Sequence, residues 1–360
     1  MNDFYAQKNK DYTLKLRELV KTLPPFAEYY FRGKESQTSV LTRYAYAVDL
    51  QGFFAFAVKE LPAFHEREVL SLTLQDLEKI TPLDIEQYLS YVSLYERNDT
   101  ERENSEKAKA RKLSAIRSFF KYYHKKGMIS QNPAALVDAP KLHEKAIVRL
   151  EANEVADLLD IAEDGQGLTK RQQKYRKATG MQLRDSAILT LFLGTGIRIT
   201  ELVGINMEEV NFNTNTFLVT RKGGSQEQLS FGSEVKDALW AYYQQRKTII
   251  PAEGHEKALF LSSQRKRITP RAVEYLVEKY ARIASPLKKI TPHKLRSTYG
   301  SMLYQESGDI YLVADVLGHK DVNTTRKHYA AQKEREYRMA SRYIKLREEG
   351  DEDTPPSHES

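Results

Sequence analysis

Residues 181–201, MQLRDSAILTLFLGTGIRITE, decide how this chain folds. After Asp185 the stretch is almost continuously apolar, the pattern of a helix buried on all sides. Gly194-Thr195-Gly196 then supplies the glycine that ends such a helix. Arg198 stands just past this tight turn, with Glu201 three residues on and on the same helical face. The flanking text provides a domain for this helix to be buried in. LEANEVADLLDIA (150–162) has the pattern of an amphipathic helix, and LTKRQQKYRKATG (168–180) reads as a basic, mobile stretch. TFLVTRK (216–222), Gly223-Gly224 and SQEQLSF (225–231) form the clearest β-hairpin in the chain. From there to about Leu346 helices alternate with short turns.

Upstream the text is helical. Residues 1–34 read as one helix broken at Pro24-Pro25. TSVLTRYAYAVDLQGFFAFAVKE (38–60) carries Leu41, Tyr44, Val48, Phe53 and Phe56 near helical spacing, with Thr42 as its expected cap. ITPLDIEQYLSYV (80–92) starts a further helix, with Thr81 ahead of Pro82 at the first helical position. Polar ERNDTERENSE (96–106) reads as a loop. KAKARKLSAIRSFFKYYHKKG (107–127) carries eight Lys and Arg and no acid; Leu113, Ile116, Phe120 and Tyr123 form its apolar stripe. With no acidic residue on the helix to pair with them, these cations are expected to meet phosphate. The expected fold is mainly α with a small β-sheet in the second domain. The expected boundaries are an N-terminal helical extension over 1–34, a first helical domain over 35–138, a linker over 139–149, a second domain over 150–346 and a disordered acidic tail over 347–360.

Composition narrows the partner. The 360 residues carry a formal net charge of +7. Since Glu348–Ser360 holds six acids and no Lys or Arg, the remainder carries +13. A body that basic calls for a polyanion, and nucleic acid leads the field. The absence of cysteine excludes disulfides, thiolate zinc sites and a Cys nucleophile, and suits a reducing cytoplasm. There is no HExxH and no obvious carboxylate cage, so neither a metal nor a cofactor is expected. No run approaches the length of a membrane span.

Four segments concentrate groups suited to phosphoryl transfer: Arg198 with Glu201; Lys222 at the end of a strand before Gly-Gly; His293 and Arg296 three residues apart at a helix start; and Leu317-Gly318-His319, followed ten residues later by Tyr329. Singly each has an ordinary reading. Arg198 and Glu201 make a helix ion pair, Lys-Gly-Gly makes a turn, Gly-His makes a C-cap, and among 22 tyrosines most are packing. The order Arg, Lys, His-x-x-Arg, Gly-His, Tyr within one domain is far more specific than its parts.

That order, together with KLSAIRSFFKYY and NPA…APK upstream, resembles the tyrosine recombinases, or phage-integrase family, over about Thr42 to Tyr329. Within the family the chain is similar to the Xer branch, and VTRKGG and ITPHKLR are similar to its single-protein members. The resemblance implies a two-domain C-shaped clamp on double-stranded DNA carrying short inverted repeats. It also implies a homotetrameric synaptic complex joined through the C-terminal helix. Its expected catalytic set is Arg198, Lys222, His293, Arg296 and His319, with Tyr329 as nucleophile and Glu201 in support. The segment from His319 to Tyr329 is one residue longer than is usual in Xer proteins, and Ser297 stands where many relatives have His. Tyr337 and Tyr343 are the other tyrosines to weigh as nucleophile.

The residue types fit that chemistry. A phenol with pKa about 10 is ionised in roughly one molecule in a thousand at neutral pH, so Tyr329 needs activation, a role the family gives to His293. Two guanidiniums hold the extra negative charge of a pentacoordinate phosphate by forking onto its oxygens. The family assigns Lys222 to protonating the leaving 5′-hydroxyl and His319 to the phosphate. The residues expected to touch the DNA backbone are Lys107, Lys109, Arg111, Lys112, Arg117 and Lys121 on the basic helix, with Arg265, Lys266, Arg267 and Arg271 in the second domain. The alternatives are a catalytically silent DNA-binding regulator and a relaxing enzyme of the type IB topoisomerase kind.

Overall fold

The computed structural model describes residues 3–96, 101–142, 148–221 and 224–318. The chain divides into two units, Met1–Lys145 and Ala146–Ser360.

In the first unit α1 (Asp3–Val20) and α2 (Ala27–Gly33) flank the Pro24-Pro25 turn, followed by α3 (Val40–Glu60), α4 (Pro82–Tyr91), β1 (Leu94–Glu96), β2 (Glu101–Glu103) and α5 (Glu106–Lys125). Residues 1–34 do not stand apart from the unit. Leu16, Leu23, Phe26, Tyr30 and Phe31 belong to the same apolar core as Phe53, Phe54, Phe119 and Tyr123. Phe119 lies at its centre with no exposure. Its ring stands 5.1 Å from Tyr30, 5.6 Å from Phe54 and 5.0 Å from Tyr123, all edge-to-face, the arrangement aromatic quadrupoles favour.

Local chemistry sets the helix starts. Thr81 caps α4 by accepting from the Asp84 N–H at 3.3 Å, and Pro82 fills the first turn where no donor is needed. For α3 the cap is Ser39, which accepts from the Thr42 N–H at 3.3 Å, rather than Thr42 itself. Serine three residues ahead leaves Thr42 inside the first turn. The polar stretch expected as a loop contains two short strands, β1 and β2, paired antiparallel with Leu94 opposite Glu103.

The second unit contains α6 (Ala152–Asp164), α7 (Lys170–Thr179), α8 (Gln182–Thr195), α9 (Ile199–Gly204), β3 (Val210–Asn211), β4 (Thr216–Thr220), β5 (Gln226–Ser230), α10 (Ser233–Thr248), α11 (Pro270–Ala284), α12 (Pro292–Ser307) and α13 (Ile310–Val316). The three strands form one antiparallel sheet in the order β3-β4-β5, with Phe217 opposite both Val210 and Leu229. Central to the unit is α8, packed against α6, α10 and α12 and buried from Arg184 to Leu193. The stretch expected to be mobile is helix α7. Thr169 caps it in a reciprocal box with Gln172, and Gly180 ends it in the left-handed region at φ 61°. Arg176 is its one buried cation and reaches back to the carbonyls of Ala162 and Glu163, so a helix without an apolar stripe is held by a guanidinium.

Asp185 is the buried polar centre of this unit. It takes 2.9 Å hydrogen bonds from Lys279 Nζ and Tyr280 Oη and one of 3.0 Å from Arg184 Nε. Burial alone would push its carboxyl up. Arg184 and Lys279 more than offset that and hold it below the usual carboxylate range. At the edge of the sheet Phe212 packs on Trp240 and Tyr243, and Lys247 stands 4.8 Å over the Tyr243 ring.

A candidate active site built on two guanidiniums

The turn that ends α8 sets the site. Gly196 adopts φ 60°, and a Cβ there would lie 2.4 Å from a Tyr299 ring carbon and 2.9 Å from Leu317 Cδ2. Only glycine lets the chain reverse this close to α12 and the end of α13. The reversal turns the Gly196 carbonyl toward Arg296, whose Nη1 donates to it. It also makes Arg198 the N-cap residue of α9, where the Glu201 carboxylate accepts from both the Arg198 backbone N–H, at 2.9 Å, and its Nη1, at 2.8 Å.

Arg198 and Arg296 meet at one oxygen. Arg198 Nη2 donates to the carbonyls of Leu317, at 3.0 Å, and Gly318, at 2.9 Å, and Arg296 Nη2 donates to the same Leu317 carbonyl. The expected pair is therefore brought together at the end of α13, immediately before His319. Arg296 is 4% exposed, whereas the Arg198 side chain keeps about a third of its surface open, at 32%. Two like charges converging on neutral carbonyl oxygens make a strongly positive point, suited to an anion with oxygens of its own.

His293 lies one turn before Arg296 in the first turn of α12 and is exposed. Ser297 donates to the His293 carbonyl at 3.0 Å. Glu201 is 2% exposed and lies between two guanidiniums, since Arg221 Nη1 stands 3.2 Å from each of its oxygens. Lys222, His319 and Tyr329 lie outside the described residues, as do Tyr337, Tyr343 and the C-terminal segment.

Sequence reading passed over Arg221. It sits at the mouth of the hairpin, where its N–H donates to the Ser225 carbonyl at 2.8 Å and its carbonyl accepts from the Gly224 N–H at 3.0 Å. Its side chain is buried and forks onto Glu227 on β5, Nε at 2.7 Å and Nη2 at 2.9 Å. The Glu227 bond holds the Arg221 guanidinium above its ordinary value, and Arg221 holds the Glu227 carboxyl below its own. The signal was a charged residue directly after β4, on a strand otherwise apolar but for its threonines.

The ten residues expected on DNA fall into three groups. Lys107, Lys121, Arg265 and Lys266 are exposed. Arg271 is exposed as well, bonded to Glu274 at 3.0 Å and stacked 4.3 Å over Tyr275. Lys109, Arg111 and Lys112 are paired: Lys109 with Glu106 at 2.6 Å, Arg111 and Lys112 with Asp49 of α3. The expectation of an unpaired basic helix is thus corrected: α5 starts one residue earlier, at Glu106, which pairs with Lys109, and α3 supplies Asp49 to Arg111 and Lys112. Arg117 donates to the Ala134 and Val137 carbonyls, and Arg267 to the carbonyls of Val203 and Ile205 at 2.9 and 3.0 Å. Both hold backbone carbonyls, a use of arginine that charge counting does not separate from phosphate binding.

Comparison with known proteins gives the family and the fold. Residues 148–336 match the model of the phage integrase family. Tyrosine recombinase XerC of Caldanaerobacter subterraneus subsp. tengcongensis is 34% identical over 337 residues, covering 90% of this chain and 87% of that protein. Tyrosine recombinase XerC of Thermodesulfovibrio yellowstonii is 31% identical over 285 residues, covering 78% and 83%. Among solved structures, the XerH site-specific recombinase bound to palindromic difH substrate in a post-cleavage complex aligns with TM-score 0.63 and 18% identity over 85% of this chain and 80% of that one. A lambda integrase dimer bound to a COC′ core site aligns with TM-score 0.57 and 18% identity over 84% and 93%. These structural likenesses speak for the fold, and the sequence matches for the family. The chain belongs to the phage integrase family, as a Xer-like tyrosine recombinase.

Proposed function

We propose that this chain cuts and rejoins double-stranded DNA at a specific site through a 3′-phosphotyrosyl link on Tyr329. The observation that carries the reading is the convergence of Arg198 and Arg296 on the Leu317 carbonyl, two residues before His319. A scissile phosphate entering there would exchange neutral carbonyl partners for its own charged oxygens, and charge-assisted bonds are the stronger ones. Both guanidiniums stay charged at any working pH, so stabilisation of the pentacoordinate state needs no proton bookkeeping. In this scheme Glu201 orients Arg198, His293 takes the phenolic proton of Tyr329 and Lys222 returns a proton to the leaving 5′-oxygen. His319 donates to the phosphate. The covalent link conserves the free energy of the phosphodiester, so rejoining requires no nucleotide.

Lys107, Lys121, Arg265 and Lys266 would meet the DNA backbone, since their ammonium and guanidinium heads are exposed. We further propose a cytoplasmic enzyme acting as a single protein on short inverted repeats. Its homotetramer would be joined through the C-terminal segment, and its task would be dimer resolution, inversion, or integration and excision of a small element.

The test is a nicked duplex from the native flanking DNA, incubated with protein in EDTA and followed by peptide mapping. An adduct on Tyr329, lost in Tyr329→Phe while gel-shift binding persists, supports the reading. An adduct on Tyr337 or Tyr343 moves the nucleophile. No adduct on either single or paired sites, with binding intact, replaces the recombinase with a silent DNA binder.

A further inference from the structure

Arg221 is 8% exposed and touches three segments at once. Nε and Nη2 hold Glu227 on β5, Nη1 holds Glu201 on α9, and Nη2 stands 3.5 Å from the Val316 carbonyl at the end of α13. Charges therefore alternate along one line, Glu227, Arg221, Glu201, Arg198, whose two middle members are buried and which ends on the Leu317 and Gly318 carbonyls. The far end is closed tightly too. Gly318 adopts φ 57°, and a Cβ there would lie 3.1 Å from Arg221 Cζ. Two of these segments and Arg221 itself adjoin groups of the proposed chemistry: Arg198 opens α9, His319 follows Gly318, and Lys222 follows Arg221.

A buried ion pair is poor evidence of stabilisation, because apolar replacements of similar volume are often as stable. What the arrangement does supply is division of charge. Glu201 faces two guanidiniums, so it neutralises neither completely. Were Arg221 apolar, the whole carboxylate charge would fall on Arg198 and blunt its pull on an incoming phosphate.

We propose that Arg221 is a positioning residue for strand cleavage. It shares Glu201 with Arg198, and it fixes the hairpin and the 316–318 turn against that carboxylate. The inference rests on the recombinase reading above, and asks which residue outside the reacting set makes Arg198 effective.

The experiment compares Arg221→Met, Arg221→Lys and the double variant Arg221→Met/Glu227→Gln with the wild-type chain, reading thermal midpoint, single-site gel shift and single-turnover adduct formation. Removing Glu227's charge as well relieves the carboxylate stranded on β5. The double variant is therefore expected to recover the midpoint lost by Arg221→Met and to bind DNA within about twofold of wild type. It should still form adduct at least tenfold more slowly. Lysine keeps the charge without the fork and is expected to stay slow. In a Glu201→Gln background, Arg221→Met should add little further loss, because the two act along one line. A rate that recovers together with the midpoint would reduce Arg221 to a structural ion pair. So would losses at 201 and 221 that simply multiply, or a full-speed Arg221→Met. If the wild-type chain itself forms no adduct on Tyr329, the recombinase reading falls first and this inference falls with it.

Discussion

Gly196→Ala tests whether the turn after α8 builds the guanidinium pair. Two costs follow from its surroundings. The left-handed backbone at φ 60° disfavours any residue with a Cβ by roughly 1–2 kcal/mol. The new methyl, 2.4 Å from the Tyr299 ring and 2.9 Å from Leu317, must displace both, and overpacking of this kind costs about 1–3 kcal/mol. Alanine's stiffer unfolded chain returns about 0.4–1 kcal/mol. The net is about 1.5–4 kcal/mol, a fall in midpoint on the order of 5–10 °C for a unit of this size. The second effect is directional. Displacing Leu317 moves the carbonyl shared by Arg198 and Arg296, and any rotation of the residue 196 peptide removes Arg296's other acceptor. Calorimetry gives the midpoint, and single-turnover adduct formation, run well below that midpoint, gives the rate. We expect a loss of at least tenfold in rate, with DNA binding retained. A destabilised protein that cleaves at full speed would refute the link between this turn and the aim of the guanidiniums. A protein of unchanged stability would refute the steric reasoning as well.

Two further expectations concern stability. Phe119→Ala empties the centre of the first unit's aromatic cluster and should cost about 3–5 kcal/mol in denaturant unfolding, with DNA binding lost in step; a loss below 1 kcal/mol would mean the rings close over the gap. Asp185 has a folded pKa below its unfolded value, so it contributes stability that is present above about pH 4 and lost as pH falls through the folded value. Asp185→Asn should therefore be less stable at neutral pH and show a flatter acid limb, and two stability–pH curves running parallel would count against the ion cluster.

What could be read from sequence was local or strongly periodic. The continuous apolar run of α8, the glycine that ends it, the Thr81-Pro82 start of α4 and the Gly-Gly hairpin each follow from a few adjacent residues. So did the choice of Arg198 and Arg296, although they stand 98 positions apart, because each comes with its own short motif. What escaped depends on partners far along the chain. Helix α7 has no apolar face to announce it and is pinned by Arg176 on carbonyls of α6. The basic face of α5 reads as unpaired until Asp49, more than sixty residues upstream, is seen beside Arg111. Arg117 and Arg267 look like any other surface cations, although both hold backbone carbonyls. Arg221 is the sharpest case. It adjoins a residue that was singled out, yet its two carboxylate partners come from α9 and from the opposite strand, and no spacing rule connects them.

Trp240 is the chain's one tryptophan, and it lies on α10 of the second unit, about half exposed and packed on Phe212. The first unit, for all its buried rings, holds only phenylalanine and tyrosine. Indole emission is therefore a private reporter of the second unit, whereas the 22 tyrosines are shared by both. Without any engineered label, the second half of this enzyme can be watched unfolding, or responding to DNA, apart from the signal of the whole chain.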